Sequence, residues 1–424
     1  MFKTLRNAWS IPDLRKKMLY TLLMIFVFRL GSHIPVPGLN GAALKSLVEE
    51  SGSLFGLMDA FSGGAFSQAT VFAMGITPYI NASIILQLLT VAIPALERLS
   101  KEGEEGQKKI ASWTRIITVV LGFIQATGLY FGIKGAVPNP NWTSYITIVA
   151  TFTAGTAFLM WLGEQITEKG VGNGISIIIF AGIVASLPQM ARTLYTAVVD
   201  FGEPWWTVAL VIIFNLAMIA FVVFITDAER RITVQYAKRM VGRKMYGGQS
   251  THIPMKVAMA GVIPIIFAMS ILSFPQTIMQ FTGGAPTTGF WGTFWSFFTP
   301  QSWVYIVLYL LLIIFFTYFY TAIQFNPIEV ANNMKKNGGF VPGIRPGSPT
   351  STYLSKILSR ITLSGAFFLG IVAIIPLVIA KYNATFSSVS ITGTSLLIMV
   401  GVALETVKQI ESQMMMRHYK GFLD

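Results

Sequence analysis

The sequence predicts an all-α polytopic membrane protein with ten transmembrane helices in two inverted five-helix halves. Composition points to lipid as the main solvent, since 53% of residues are hydrophobic and only 12% are charged. A helix needs about 20 residues to cross the ~30 Å hydrocarbon core of a bilayer. Most of the ten long apolar stretches approach that length: 18–30, 71–93, 116–133, 145–162, 175–191, 207–225, 257–274, 304–323, 361–380 and 386–404.

The basic residues predict the orientation of these spans. If the N-terminus is cytoplasmic, the inside segments hold 26 of the 31 Lys and Arg residues. Arg29 lies near the outer end of the first span, and the outside segments hold only Lys45, Lys134, Arg192 and Lys381. Cytoplasmic loops carry such an excess, so we expect both termini inside. The net charge of +13 also predicts attraction to anionic lipids of the inner leaflet.

The span count predicts how the chain is divided. Five is odd, so an N-terminal half at 1–200 and a C-terminal half at 201–424 run in opposite directions through the membrane. Inverted halves usually place the working pathway at their interface, near the bilayer midplane. The outer segment 192–206 is the expected join.

The outer segment between spans one and two predicts a re-entrant element at about 54–66. Its Leu57 and Phe61 belong to a run that is too apolar for a solvated loop and too short to cross. The corner at Ser62, Gly63 and Gly64 is expected to act as a hinge, because glycine adopts turn conformations easily.

Two long basic inside loops, at about 227–256 and 325–360, predict docking of a large partner. The first contains RRITVQYAKRMVGRKMYGG, whose alternating stretch predicts a hairpin. The second contains NNMKKNGGFVPGIRPGSPT, where Gly and Pro predict turns that present Arg345. The alternative is that the charges only fix topology, but topology does not require loops of this length.

The chain offers little for catalysis. It has no cysteine and only three scattered histidines, so neither a thiolate nor a histidine metal site is expected. We therefore predict no enzyme activity, no catalytic residues, no metal site and no cofactor. A secondary solute transporter with inverted repeats is the alternative function; the near absence of ionisable residues inside the spans disfavours ion coupling.

Seven sequence runs, in order along the chain, carry a resemblance to a known family. They are RLGSHIPVPGLN (29–40), AFSGGAFSQATVFAMGITPYINASIILQLLT (60–90), KGVGNGISIIIFAGIVASLP (169–188), AKRMVGRK with QSTHIPMKVAMAGVIP (237–264), FNPIEVANNMKKNGGFVPGIRPG (325–347) and GTSLLI (393–398). In these runs, and over essentially its whole length, the chain resembles the SecY family of protein-conducting channels.

The resemblance implies the central channel subunit of the general secretory translocase in a bacterial cell membrane. Such a channel conducts unfolded preproteins with signal sequences and releases transmembrane segments sideways into lipid. It implies a clamshell around an hourglass pore, with segment 54–66 as a plug. The implied partners are SecE- and SecG-type small membrane subunits, the SecA motor ATPase and the ribosome.

The resemblance also assigns residues. Ile76 with Ile80, and Ile175 with Ile179, are i, i+4 pairs that share a helix face, and a ring of such side chains forms a dewetted constriction. The implied pore ring is Ile76, Ile80, Ile175, Ile179, Ile266 and Ile398. The implied lateral gate sets Asn81, Ser83 and Gln87 against Ser270 and Phe274; interhelical hydrogen bonding is the alternative role for these polar groups. The implied docking residues are Arg243, Lys244 and Arg345.

Overall fold

A computed structural model of the chain describes residues 2–50, 62–200, 204–236, 239–241, 244–246, 250–281, 294–299, 302–382 and 393–420. Helices dominate these residues. The α-helices are α1 Phe2–Trp9, α2 Pro12–Gly31, α3 Gly41–Glu50, α4 Thr77–Ala92, α5 Pro94–Lys101, α6 Glu104–Gly132, α7 Trp142–Lys169, α8 Gly174–Val199, α9 Trp205–Asp227, α10 Ile263–Phe281, α11 Trp303–Gln324, α12 Pro327–Lys336, α13 Ser348–Tyr382 and α14 Gly393–Lys420. The strands are β1 Glu229–Tyr236, β2 Arg239–Val241, β3 Lys244–Tyr246, β4 Ser250–Lys256 and β5 Gly339–Phe340.

Every predicted span overlaps one of these helices, which confirms a helical, multi-pass membrane protein. Within the described residues, seven helices are long and apolar enough to cross a membrane. The pair α4 and α5, bent by 104°, counts as an eighth if it is one span. The other two predicted spans correspond to α2, which carries basic residues near both ends, and to α10, whose apolar part Ile263–Ser273 is shorter. The count of ten is consistent with the structure without being fixed by it.

Two spans begin later than the sequence predicted. The second was expected from residue 71, but α4 starts at Thr77, because Gly75 adopts a φ of +57° and Pro78 favours the first helical turn. The seventh was expected from residue 257, but residues 257–262 form turns that end at Gly261, with a φ of +59°. The start of the tenth predicted span, 386–392, lies outside the described residues.

The chain divides into two compact units. The first comprises Met1–Glu203, Ser270–Ser302 and Ile398–Asp424, and the second comprises Pro204–Met269 and Trp303–Leu397. One break therefore falls close to residue 200. The predicted assignment of 1–200 and 201–424 to inverted halves stays a prediction.

The first unit is built around α2, α4, α6, α7 and α8, which pack against one another. The polypeptide between α3 and α4 joins the same core through Phe66, which is fully buried with Leu129, Ile133 and Phe152. Its backbone is tied to the segment that follows α2, since the Val36 N–H donates to the Ala69 carbonyl at 2.8 Å. The described part of the connection between α3 and α4 is therefore packed protein rather than a solvated loop.

The second unit carries the β-structure. Strands β1 and β4 pair antiparallel from Glu229↔Lys256 to Gln235↔Ser250, which confirms the predicted hairpin. Alternation of exposed and buried residues along β1 turns Ile232 and Val234 inward, as expected for a half-buried strand. The short strand β5 pairs with the other edge of β1, so the sheet has the order β4-β1-β5.

Candidate pore and docking sites

One aromatic side chain, Phe72, anchors the segment just before α4. Its ring is 4% exposed and stacks between Phe28 at 6.1 Å and Phe158 at 5.9 Å between centroids, nearly parallel to both. A Cβ at Gly31 would overlap this ring. Gly31 on α2 thus makes room for a ring that links α2 and α7, five residues before α4 starts at Thr77.

The start of α8 is fixed differently, by close backbone contact and hydroxyl groups. A Cβ at Gly174 would overlap the carbonyl oxygen of Gly163 on α7. The Thr167 hydroxyl oxygen accepts the Gly174 N–H at 2.9 Å, and the Thr21 hydroxyl oxygen of α2 accepts the Val171 N–H at 3.0 Å. The run of glycines at 170–174 therefore forms the tight turn that places Ile175 at the start of α8.

The predicted pore-ring isoleucines are buried or half-buried. Ile76, Ile179 and Ile398 are 6%, 6% and 2% exposed, and the other three, Ile80, Ile175 and Ile266, are half-buried. Neighbouring Ile85 on α4 is 37% exposed, as expected for a lipid-facing residue. Three members of the predicted ring are thus buried and three half-buried; the role of the ring in a pore stays a prediction.

The predicted gate residues of α4 occupy two faces of the helix. Ser83 and Gln87 are an i, i+4 pair, whereas Asn81 is two residues from Ser83 and points to the opposite side. Asn81 is half-buried and its Oδ1 atom has no hydrogen-bond partner among the described residues. Such an acceptor costs roughly 1–3 kcal/mol if it stays dry, so the Asn81 side of α4 is the one that favours hydration.

On α10, the predicted gate partner Ser270 is half-buried, and its carbonyl accepts a hydrogen bond from the Ser273 hydroxyl at 2.8 Å. The side chain of Phe274 lies outside what the structure describes. The gate assignment on this helix therefore stays a prediction.

The corner of the predicted plug is tightly packed. Leu57 and Phe61 lie outside the described residues. Gly63 and Gly64 have φ angles of +67° and +84°, and a Cβ at Gly63 would lie 2.8 Å from the Gly182 Cα on α8. The Ser62 hydroxyl oxygen accepts the Phe66 N–H at 3.1 Å. The corner requires glycine both for its backbone angles and for its contact with α8.

The two long basic loops form one structural element. Ile232 and Met255 of the hairpin share a buried cluster with Met334 of α12 and Leu354 of α13. Sequence reasoning treated the loops separately and missed this shared core, since β5 has only two residues in a run of Gly and Pro. We call this element, residues 228–256 and 325–361, the sheet lobe.

Arg345 is exposed on a turn of the sheet lobe that is anchored on both sides. Ile344 packs against the buried cluster, and the Arg345 carbonyl accepts the Thr350 hydroxyl at 2.8 Å. The turn is possible because Gly343 and Gly347 have φ angles of +81° and +104°. Arg243 lies outside the described residues, and Lys244 lies in β3 with its side chain undescribed. Of the predicted docking residues, Arg345 is thus the one shown on a fixed, exposed turn.

Comparison with known proteins decides the family. The SecY family model matches residues 70–407. A relative from Halalkalibacterium halodurans, named protein translocase subunit SecY, is 49% identical over 433 residues that span all of both chains. This chain belongs to the SecY family. The resemblance found in the sequence is therefore confirmed, and nothing supports the solute-transporter alternative.

Solved structures show the same fold. The structure of a protein-conducting channel matches with a TM-score of 0.66 at 17% identity, covering 94% of this chain and 92% of that one. Sec61 in the canine ribosome–channel complex from the endoplasmic reticulum matches with a TM-score of 0.62 at 16% identity, covering 94% and 92%. At this identity the likeness concerns the fold.

The structure adds functional candidates that the sequence did not reveal. Phe72, Gly31 and Gly163 position the first residues of α4 and α8, although none belongs to a predicted site. A signal existed for Gly163, because it is one of several small residues along α7. No local signal marks Phe72, since its stacking partners are separated from it by tens of residues.

Proposed function

We propose that this chain is the central channel subunit of a bacterial protein translocase, conducting unfolded preproteins across the membrane and releasing transmembrane segments into lipid. The observation that carries the proposal is full-length similarity to a translocase subunit at 49% identity. The isoleucine pairs at the starts of α4 and α8 suit this role.

The proposed constriction is the ring of Ile76, Ile80, Ile175, Ile179, Ile266 and Ile398. Branched aliphatic side chains replace none of the water around an ion, so a narrow ring of them resists ion flow. The same side chains offer an extended polypeptide no hydrogen bonds or charges, and it slides past them. Phe72 packs just before α4, and Gly174 packs at the start of α8. These contacts hold four of the six isoleucines, Ile76, Ile80, Ile175 and Ile179, in position.

The proposed plug is segment 54–66, with Ser62, Gly63 and Gly64 as its attached end. In support, Gly63 fits against Gly182 of α8, and the Gly63 carbonyl accepts a hydrogen bond from Arg29 at 3.2 Å. A firmly held corner allows the rest of the segment to leave the pore without detaching from the channel.

The proposed lateral gate lies between α4 and α10, with Asn81, Ser83, Gln87, Ser270 and Phe274 as its residues. The unpaired acceptor of Asn81 supports the proposal, because a dry polar atom makes a closed seam less stable. A proline inside α10, Pro275, favours bending of that helix.

We place the sheet lobe in the cytoplasm, as the docking surface for a SecA-type motor ATPase or a ribosome through Arg243, Lys244 and Arg345. Ribosomal RNA is a polyanion, which matches exposed basic turns. We also propose SecE- and SecG-type small membrane subunits as partners, a bacterial plasma membrane as the location, and both termini on the cytoplasmic side. The distribution of Lys and Arg supports this orientation.

A reconstituted translocation assay tests the proposal. Proteoliposomes that contain this chain with a SecE-type subunit receive a labelled preprotein, SecA and ATP. The proposal predicts protease-protected preprotein only when both SecA and ATP are present. No protection, in vesicles shown to hold correctly oriented chain and active motor, would contradict it.

Two substitutions extend this assay to the proposed sites. Ile398→Asn is expected to loosen the closed channel and admit a preprotein with a defective signal, whereas Ile371→Asn, at a residue that is 45% exposed, should not. Arg345→Glu is expected to lower SecA-dependent transport at least tenfold, with Lys356→Glu, another exposed basic site in the lobe, as the matched control. Equal behaviour within either pair would contradict that assignment.

A further inference from the structure

A cavity of about 480 Å³ lies between the C-terminal parts of α2 and α8 and the helix α3, all in the first unit. Its volume falls within the roughly 300–1,000 Å³ that is common for small-molecule sites. The polar side chains that line it are Arg29, Lys45, Gln189, Arg192, Thr193 and Thr196.

The charge of this cavity is unusual for its side of the membrane. The sequence places only five basic residues outside or at an outer span end, and Arg29, Lys45 and Arg192 are three of them. No Asp or Glu is among the described residues that line the cavity, and none of its three cations forms a salt bridge with another described side chain. Three neighbouring like charges repel one another unless an anion lies between them.

The hydrogen-bond groups of the cavity favour an oxyanion that also carries hydroxyl groups. Arg29 uses its Nη1 on the Gly63 carbonyl, which leaves other guanidinium N–H groups for a ligand. The Thr193 and Thr196 hydroxyls donate to carbonyls of α8 at 3.1 and 3.0 Å, so their oxygens are left as acceptors. Arginine forks match phosphate oxygens well.

We propose that this cavity binds the phosphate of an anionic phospholipid headgroup in the outer leaflet. Arg29 is in the last turn of α2 and Arg192 is near the end of α8, which is the depth of lipid headgroups for two helices that end on the same side. A zwitterionic headgroup brings an ammonium group that three cations repel. A bound phosphate neutralises Arg29 beside the Gly63 corner and thereby stabilises the packing of that corner on α8.

Native mass spectrometry of the delipidated chain, titrated with phosphatidylglycerol, tests the proposal. The variant Lys45→Gln/Arg192→Gln is expected to bind the first lipid about 100-fold more weakly, since each lost charge-assisted contact costs roughly tenfold. The control Lys134→Gln/Lys381→Gln removes the same charge from the same side without touching the cavity and should bind as the unchanged chain does.

Phosphatidylcholine, inorganic phosphate and an acidic peptide are tested in turn to separate the possible sources of the anion. Phosphatidylcholine should bind the unchanged chain at least tenfold more weakly, and inorganic phosphate at millimolar concentration should compete only partly. Equal loss of lipid in both double variants, equal binding of the two lipids, or complete displacement by inorganic phosphate or by an acidic peptide would overturn the proposal. Thermal unfolding of each variant confirms that it is folded before titration.

Discussion

The starts of α4 and α8 place comparable isoleucine pairs by opposite means. At α4, a large ring fills the space between α2 and α7, with Phe72 stacked between Phe28 and Phe158. At α8, the helices α7 and α8 come close because Gly163 and Gly174 have no side chains. Threonine hydroxyl oxygens accept hydrogen bonds from the backbone N–H groups of the turn before α8. Packing volume holds the first helix start, and close backbone contact with hydrogen bonds holds the second. A change that disrupts one helix start should therefore leave the other intact.

The absence of cysteine from the chain gives a way to follow each helix start. A thiol introduced by Ile80→Cys reports on α4, and one introduced by Ile179→Cys reports on α8. Labelling of each by a water-soluble maleimide measures how well its helix holds position. The following predictions use these two reporters together with thermal unfolding.

The largest effect is expected for Phe72→Ala. The loss of a fully packed ring leaves a cavity and costs about 4 kcal/mol of unfolding free energy. Labelling at Ile80→Cys should rise, while labelling at Ile179→Cys should not. Phe123→Ala, at a ring that is 52% exposed, is the control and should change neither. Equal increases at both reporters would show that the starts of α4 and α8 are coupled.

Gly174→Ala should have the next largest effect and lower the unfolding free energy by about 3 kcal/mol, because the new methyl group meets backbone rather than a flexible side chain. Labelling at Ile179→Cys should rise selectively. The matched control is Gly135→Ala, where an added Cβ has no neighbour within 4 Å. If both alanine variants unfold at the same temperature, the close helix crossing is not what holds α8.

Thr21→Val should cost about 1–2 kcal/mol, since it leaves the buried Val171 N–H without its acceptor. As with Gly174→Ala, labelling at Ile179→Cys should rise, but by a smaller amount. Thr147→Val serves as the control, because the Thr147 hydroxyl is exposed and bonds only within its own helix. An increase in labelling at Ile80→Cys rather than at Ile179→Cys would contradict the assignment of Thr21 to the start of α8.

The smallest effect is expected for Glu164→Gln, which removes the 2.7 Å ion pair between Arg115 of α6 and Glu164 of α7. These side chains are 53% and 27% exposed, so we expect less than about 1 kcal/mol and no change at either reporter. Glu104→Gln, in a more exposed ion pair with Lys108, is the control. A change above about 2 kcal/mol in thermal unfolding would show that α6 and α7 depend on this pair.

Much of the fold could be predicted from periodicity and charge, because each apolar stretch must span the same hydrocarbon thickness. The helix starts at Thr77 and Ile263 could not, since Gly75 and Gly261 adopt left-handed backbone angles that only the packed structure requires. The sequence also did not reveal the pairing of β5 with β1, because a strand of two residues is too short to show the alternation of polar and apolar residues.

In the proposed site, i, i+4 pairs of isoleucine can be recognised in the sequence, whereas contacts between distant residues cannot. Ile76 with Ile80, and Ile175 with Ile179, are visible in the sequence. The stacking of Phe72 on Phe158 and the cavity shared by Arg29, Lys45 and Arg192 join residues far apart in the chain. Only their tertiary arrangement reveals them.

Crosslinking to a translocating chain tests the central claim most directly. A preprotein with one cysteine is stalled in SecA-driven transport through channels that carry Ile80→Cys, Ile179→Cys or Ile85→Cys, and disulfides are then formed by oxidation. We predict ATP-dependent crosslinks at Ile80→Cys and Ile179→Cys and none at Ile85→Cys, whose native side chain is 37% exposed. Crosslinks of equal yield at all three positions, or none at the first two while transport is active, would contradict a pore lined by these isoleucines.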